Sequence, residues 1–237
     1  MSTPTRRILF LPDIHVPDHD ERALRLVRQF KRDWKPHDVV QLGDLISADQ
    51  VSSFPNECDV DLKDEFEMGR DVLADLGVTH FLMGNHEERL LRIGLLKKTL
   101  RSMVDPARNL QLDKSGILWK PYDKISGVFK FGKLHALHGC FTNEYAARKH
   151  ADSYGCCIFG HTHRVQIHQP KHAFSAHSGY NIGCLSRLDL PYCRAGPPSG
   201  WGQAFAFGYF FRSGHFNLYI VRLIGDEIAI ENKVYKR

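Results

Sequence analysis

Five short apolar runs in this sequence each stop at a residue whose side chain can bind a metal ion. The side chains at these stops are carboxylates and an amide, which offer oxygen, and imidazoles, which offer nitrogen. In chain order the stops are Asp13-x-His15, Asp44, Asn85-His86-Glu87, His138-Gly139 and His161-x-His163. A mixed oxygen and nitrogen set without cysteine suits borderline divalent ions such as Mn, Fe, Zn or Ni.

The size of this set indicates two ions rather than one. Two Asp, one Asn and five His exceed what a single ion uses. Two ions about 3.5–4 Å apart, sharing a bridging carboxylate, activate a water and stabilise both the attacking and the leaving oxygen of an in-line displacement. Phosphate esters are the natural substrates of that chemistry.

The apolar runs also predict the elements that position these residues. Runs bounded by Gly or Pro are typical of buried strands, and in open α/β sheets ligands bind at the carboxyl ends of the strands. An amphipathic helix capped by Asp18 or Asp20 is expected after the first strand, and a second helix is expected to stop at Gly77. The predicted order is βαβαβ, with strands at 8–11, 39–42 and 80–83 and the second helix at 62–76.

The second half of the chain predicts a second sheet. Alternating aromatic residues at 205–211 and apolar residues at 216–220 indicate antiparallel strands, followed by a hairpin turning at Gly225-Asp226. This terminal meander is expected to cover one side of the second sheet. The elements predicted before it are strands near 117, at 128–131, 134–138 and 156–159, and a helix at 143–154.

The order D-x-H, G-D, G-N-H-E, H-G and G-H-x-H resembles the calcineurin-like metallophosphoesterase superfamily. The matching blocks run from Asp13 to His163, about two thirds of the chain. The resemblance implies an α/β fold of two mixed β-sheets packed as a sandwich, flanked by α-helices, with the metals at the shared edge. A single domain spanning 1–237 is expected, because α/β folds of this length need no second core.

The resemblance also assigns roles. It implies that Asp44 bridges two divalent ions, together with a water whose pKa the metals lower. It makes His86 the residue that stabilises the phosphoryl charge and protonates the leaving oxygen. Mn is the expected metal, with Fe, Zn or Ni as alternatives. The ligands implied for one ion are Asp13, His15 and His163, and those for the other are Asn85, His138 and His161.

Several assignments have alternatives at this level. His135 lies on the same predicted strand as His138, and the glycine after His138 favours the latter. Glu87 either orients its neighbours or is an acidic residue at a helix N-terminus. The other histidines are expected at the surface or in packing. Among them His177, in a loop shortly after the G-H-x-H block, is the strongest further candidate for the site.

The second block departs from the protein-phosphatase branch of the superfamily. That branch continues as G-D-x-x-D-R-G, whereas residues 43–49 here are G-D-L-I-S-A-D. The missing Asp would orient the catalytic histidine, and Asp49 is the candidate substitute. The missing Arg would clamp a dianionic phosphate, so its absence argues against a serine/threonine phosphatase and favours a diester.

Two segments are candidates for contact with substrate. Residues 186–202 form a Pro- and Gly-rich loop, predicted on the active-site side, and long irregular loops are often functional. Within it Arg187 and Arg194 are candidates for phosphate contacts and Tyr192 for stacking on a base. Residues 94–125 are predicted as an insertion near the site. The basic stretch that leads into them either flanks the substrate entrance or faces solvent.

Composition and charge leave three hypotheses. The net charge of +5 favours a polyanionic partner, and six cysteines without paired spacing fit a cytoplasmic, reduced protein without a membrane segment. The favoured hypothesis is a phosphodiesterase or phosphatase for a nucleotide or nucleic-acid ester. The alternatives are a DNA or RNA nuclease and a non-catalytic scaffold that keeps the fold. The sequence indicates neither the oligomeric state nor the identity of the substrate.

Overall fold

The helices and strands follow one another in the predicted alternation through the first half of the chain. The structure is a computed structural model that describes residues 5–52, 59–171, 177–190 and 200–236. Its first elements are β1 (Arg6–Leu11), α1 (Glu21–Trp34), β2 (Asp38–Gln41), α2 (Leu62–Leu76), β3 (His80–Leu82), α3 (Asn85–Leu96), α4 (Arg101–Val104), α5 (Pro106–Asn109) and β4 (Leu118–Lys120).

The second half contributes one helix and nine strands among the described residues. They are β5 (Phe129–Phe131), β6 (Leu134–Ala136), α6 (Ala146–Tyr154), β7 (Cys157–Phe159), β8 (Val165–His168), β9 (Gly179–Ile182), β10 (Ala204–Phe210), β11 (Phe216–Arg222), β12 (Glu227–Ile230) and β13 (Lys233–Lys236). Strands β8 and β9 were not among the predicted elements.

Local sequence accounts for the helix ends. The Asp20 carboxylate accepts hydrogen bonds from the N–H groups of Arg22 and Ala23, so it caps α1. Asp61 caps α2 in the same way, and Gly77 ends that helix in the left-handed conformation at φ 59°. The predicted cap and the predicted stop are both present.

Two large mixed sheets pack face to face, as the fold class predicts. One has the strand order β11-β10-β1-β2-β3-β4 and the other β5-β6-β7-β9-β8. Alternation along β1 explains the packing, because successive side chains of a strand point to opposite faces. Ile8 and Phe10 pack against the second sheet, and Leu9 and Leu11 pack on the helical side.

The terminal strands correct one prediction. β10 pairs antiparallel with β1, and β11 pairs with β10, so the meander extends the first sheet and does not cover the second. Both faces of β10 are buried, because Phe205 and Phe207 pack against Phe30 of α1 while Ala206 faces the other sheet. A strand with two buried faces must lie within a sheet that has helices packed on one face and a second sheet packed on the other.

Two further predictions were wrong in detail. β4 was expected in the second sheet, but it pairs parallel with β3 in the first. The last hairpin, β12 and β13, turns after Ile230, which pairs with Lys233, and not at Gly225-Asp226.

Within the described part of the chain, no helix has both the length and the apolar character needed to cross a membrane.

Candidate active site

The site residues follow strand ends, and their backbones take an unusual conformation. Residues at the ends of β1, β2, β3, β6 and β7 meet at one edge of the two sheets. Non-glycine residues rarely adopt positive φ, and such strained positions cluster at functional sites. Five of the predicted ligands have positive φ, namely Asp13 (26°), His15 (55°), Asp44 (52°), His161 (66°) and His163 (56°).

Three overlapping groups of ligand atoms lie at this edge. In each group the candidate ligand atoms are all within 4.8 Å of one another. His15 and Asp44 each belong to two groups, so the groups form one continuous cluster. The groups are Asp13 with His15 and His163, His15 with Asp44 and His86, and Asp44 with His138 and His161.

Asp44 lies between two sets of histidines. Its Oδ2 atom is 3.8 Å from His15 Nε2 on one side and 3.3 Å from His138 Nε2 on the other. On the His15 side, Nε2 of His15 and Nε2 of His163 are 3.1 Å apart. His163 Nε2 in turn lies 3.4 Å from an oxygen of Asp13. This is the first of the two ligand sets that the resemblance implied.

The second set surrounds His138. Its Nε2 atom is 3.0 Å from Oδ1 of Asn85 and 3.2 Å from Nδ1 of His161. Imidazole nitrogens and carboxylate and amide oxygens that converge at such distances, with little solvent exposure, form a donor set of the kind that divalent metal ions bind. The donor atoms therefore fit the expected pair of divalent ions, one in each set, with Asp44 between.

The pKa shifts within the cluster also bear on whether it can bind metal ions. The imidazoles of His138, His86 and His15 lower the pKa of Asp44 well below its usual range, although burial acts to raise it. Asp44 in turn raises the pKa of His138 to about 9 against the effect of burial. Burial, with His138 nearby, lowers the pKa of His161 to about 3. The cluster therefore holds an ionised Asp44 and a neutral His161, the forms that bind metal, whereas His138 carries a proton that a bound ion would displace.

Two glycines are required by the close approach of carboxylates. A Cβ atom at Gly84 would overlap the Asp44 carboxylate, and one at Gly160 would overlap the Asp13 carboxylate. The Asp13 carboxylate instead accepts from the N–H of His161, at 2.9 Å to each oxygen. This explains why glycine precedes Asn85 and His161 in the sequence blocks.

Glu87 is a buried support for the Asp44 loop. Its fully buried carboxylate accepts hydrogen bonds from four backbone N–H groups. Burial and the nearby Asp44 raise the pKa of Glu87 to about 7, while the N–H donors oppose that shift. The donors are Asp44 at 3.0 Å, Leu45 at 2.9 Å, Ile46 at 3.3 Å and Gly84 at 2.7 Å. Of the two alternatives for Glu87, the contacts favour the orienting role.

A second buried glutamate, Glu65 on α2, was missed in the sequence. It is fully buried and accepts from the N–H of Ala48 at 2.6 Å and from Nε2 of Gln50 at 2.9 Å. Burial raises the pKa of Glu65 to about 7. The available signal was its place on the apolar stripe of α2, next to Phe66, where a charge is unexpected.

His86 faces the cluster with one nitrogen and is held by the other. Nδ1 donates to the carbonyl oxygen of Ser47 at 2.5 Å, and Nε2 lies 3.8 Å from Asp44 Oδ2. Its backbone N–H donates to the other oxygen of Asp44 at 3.0 Å. The side chain is 20% exposed, more than the side chains of Asp44, His15 and His138.

Asp49 lies in the short helical turn that follows this loop. Burial and the charge of Asp18 raise the pKa of Asp49, and His86 and Arg89 act against that increase. The Ser47 carbonyl oxygen provides a hydrogen-bond acceptor for His86 Nδ1. A contribution of Asp49 to His86 is therefore electrostatic in our interpretation, and its catalytic role stays a prediction.

The remaining candidates are placed as follows. Nδ1 of His135 bonds to the Tyr154 carbonyl oxygen at 2.7 Å, outside the three clusters, whereas His138 lies within them. Arg187 donates to Asp18 Oδ1 at 2.7 Å, beside the loop that carries Asp13 and His15. Tyr192 and Arg194 lie outside the described residues. His177 belongs to none of the clusters. Residues 94–125 contain the end of α3 and the elements α4, α5 and β4.

Comparisons with known proteins come from sequence and from structure. A family model described as calcineurin-like phosphoesterase matches residues 6–165. A search among curated proteins found no match. Similar solved structures include Vps29 of Chaetomium thermophilum, with 12% identity over 98% of each chain and a TM-score of 0.41. Another is the E. coli phosphoesterase YfcE, with 14% identity over 91% of this chain and 98% of that chain and a TM-score of 0.39.

Proposed function

The chain belongs to the calcineurin-like phosphoesterase family, and on that premise we propose that it hydrolyses phosphate esters with two divalent metal ions. The proposed activity is that of a phosphodiesterase or phosphatase acting on a nucleotide or nucleic-acid substrate. The observation that carries the proposal is the position of the Asp44 carboxylate between His15 and His138, because one carboxylate shared by two ligand sets is the basis of a dinuclear site.

The ligand assignment follows from the two sets. Asp44 is the proposed bridge, and Mn is the proposed metal, with Fe, Zn or Ni as alternatives suited to the same donors. When bound, the ions would activate a water and neutralise charge on the phosphoryl oxygens. One ion is assigned to Asp13, His15 and His163 and the other to Asn85, His138 and His161.

His86 is the proposed general acid. Its Nδ1–H is committed to the Ser47 carbonyl oxygen, so Nε2 is the atom that carries a proton to the leaving oxygen. The same nitrogen, when protonated, is a positive group facing the developing negative charge. The fixed Nδ1 contact orients the ring before substrate arrives, which lowers the entropic cost of proton transfer.

The experiment that tests this function compares two chromogenic esters. A phosphodiester and the matching phosphomonoester are hydrolysed with Mn²⁺, with a chelator, and by the His86→Ala variant. His135→Ala is the matched control, because that histidine bonds to Tyr154 away from the clusters. We expect chelator-sensitive turnover that favours the diester and that His86→Ala lowers, though by less than for esters with poor leaving groups.

Other outcomes redirect or overturn the proposal. A preference for the monoester would identify a phosphatase. Salt-sensitive cleavage of oligonucleotides would support the nuclease alternative. Absence of turnover with every divalent ion, although two ions bind, would contradict the proposed hydrolysis and support the scaffold alternative.

A further inference from the structure

A cavity of about 280 Å³ lies beside the metal-ligand cluster and has His138 in its wall. Helix α3, the loop at 121–127 and the start of the segment after β6 enclose it, and Tyr154 of α6 contributes to its lining. The cavity is at the lower end of the size range of small-molecule sites. It has room for one ring-sized group and not for several nucleotides.

The cavity is continuous with the proposed catalytic site through two elements. His138 contributes its ring to both, since its Nε2 belongs to the ligand cluster. Helix α3 begins at the proposed ligand Asn85 and lines the cavity one and two turns later, with Glu88 and Arg92. A substituent on a phosphate bound at the ligand cluster would therefore be within reach of the cavity.

The walls of the cavity are fixed. The Tyr122 hydroxyl donates to the Gly139 carbonyl oxygen at 3.0 Å, and its ring packs edge-on against His138 with 5.6 Å between centroids. Asp123 accepts from the N–H groups of Ile125 and Ser126 at 2.9 and 2.7 Å, which closes the 121–127 loop. A preformed wall favours a rigid ligand, because little ordering accompanies binding.

The chemistry of the walls favours a flat ring. Two tyrosines and Leu137 supply carbon surface. Arg92 pairs with Glu88 at 3.3 Å, the Asp123 carboxylate is used within its own turn, and Lys124 is a further cation in the wall. Aromatic and aliphatic walls with few polar groups are typical of sites that bind a flat organic ring.

We propose that this cavity receives the organic group attached to the reacting phosphate, and that this group is a nucleobase or a similar heteroaromatic ring. The inference rests on the proposed phosphoesterase function and specifies its substrate class. Base stacking on aromatic side chains contributes enough to binding to discriminate between phosphates that carry a ring and those that do not.

The first test needs no mutation. Cys140 lines the cavity and is exposed, so a reagent can reach its thiol. In the Mn-loaded protein at alkaline pH, we expect adenosine 5′-monophosphate to slow alkylation of Cys140 at least threefold. Ribose 5-phosphate and inorganic phosphate at equal occupancy should leave the rate unchanged. Mass spectrometry of the peptide containing Cys140 separates it from the other cysteines.

The second test measures affinity. Calorimetry with the same three probes should show adenosine 5′-monophosphate binding about tenfold more tightly than ribose 5-phosphate. In Cys140→Phe, which fills the cavity, that ratio should fall to about one while the affinity for inorganic phosphate is unchanged. Ile167→Phe, on the exposed edge strand β8, is the matched control and should keep the ratio.

The outcomes separate this inference from the proposed function. Equal affinity for the two sugar phosphates, or a ring preference that persists in a folded Cys140→Phe protein, would overturn the cavity assignment even if esters are hydrolysed. A ring preference lost in Cys140→Phe would support it even if no ester is turned over, in which case the proposed hydrolysis alone fails.

Discussion

The His86 imidazole is held by the main chain of Ser47, whose carbonyl oxygen accepts the Nδ1–H at 2.5 Å. The loop containing Ser47 is in turn held by buried carboxylates, with Glu65 bound to the N–H of Ala48 and Glu87 bound to that of Asp44. The position of the proposed acid therefore depends on groups that do not touch the substrate.

The effect of replacing His86 on kcat should depend on the leaving group of the ester if His86 is the general acid. We expect His86→Ala to lower kcat by about 10²–10⁴-fold for esters with poor leaving groups, the usual contribution of a general acid. Esters of p-nitrophenol should lose much less, because that leaving group needs no proton. The measurement is kcat for a series of esters of graded leaving-group pKa. A uniform loss across the series would show that His86 does not protonate the leaving oxygen.

The metal content of variants should distinguish Asp44, the proposed bridging ligand, from a residue that binds one ion only. We expect Asp44→Asn to lose both ions or to hold them weakly, because its carboxylate lies between the sets, whereas His163→Ala should lose one. Mass spectrometry of bound Mn after dialysis measures this. Asp18→Asn is the control, since Asp18 pairs with Arg187 outside the clusters. Two ions retained in Asp44→Asn would contradict the bridging role.

Glu65 should make stability depend on pH. Its pKa is raised from 4.5 to about 7 in the folded protein by burial, so the folded state binds a proton that the unfolded state releases. The associated stability is present below pH 4.5 and is lost as pH rises through 7, about 3 kcal/mol in all. Relative to Glu65→Gln, the wild-type free energy of unfolding should fall between pH 5 and 8.

Denaturant unfolding at several pH values measures this difference. Glu67→Gln, on the exposed side of the same helix, is the matched control and should show no such trend. A wild-type protein that gains stability over Glu65→Gln as pH rises would show that the N–H donors keep Glu65 ionised.

His150 should make stability depend on pH with the opposite sign to Glu65, so that stability is lost as the pH falls. Burial, with His138 nearby, lowers its pKa from 6.5 to about 4, although the hydrogen bond from Nδ1 to the Ala146 carbonyl oxygen acts to raise it. Nε2 accepts the Cys140 N–H at 3.0 Å, a contact that a protonated ring cannot make. The stability this gives is present above pH 6.5 and is lost as pH falls through 4. The wild-type Tm should therefore drop more steeply than that of His150→Gln between pH 7 and 4. Parallel Tm curves for the two proteins would refute the assignment.

The sequence alone determined most of the elements, though not β8 and β9, and the order of the site residues. Apolar runs that end in Asp, Asn or His, with glycine beside them, are local patterns, and they identified the strand ends. Local signals of the same kind gave Asp18 or Asp20 as the cap of α1 and Gly77 as the stop of α2; Asp20 is the cap. The same blocks indicated the family, because each block can be recognised within a short stretch of sequence. The two-sheet fold class followed from them.

Only the tertiary structure decided which distant residues meet. Nδ1 of His138 bonds to the carbonyl oxygen of Leu42, 96 positions away, and this contact, absent for His135, selects between the two histidines. The placement of β10 beside β1 and the contact of Glu65 with Ala48 across 17 positions are of the same kind. Periodicity reports which face of an element is buried, and it carries no information on the partner, because partners are chosen by packing over the whole chain.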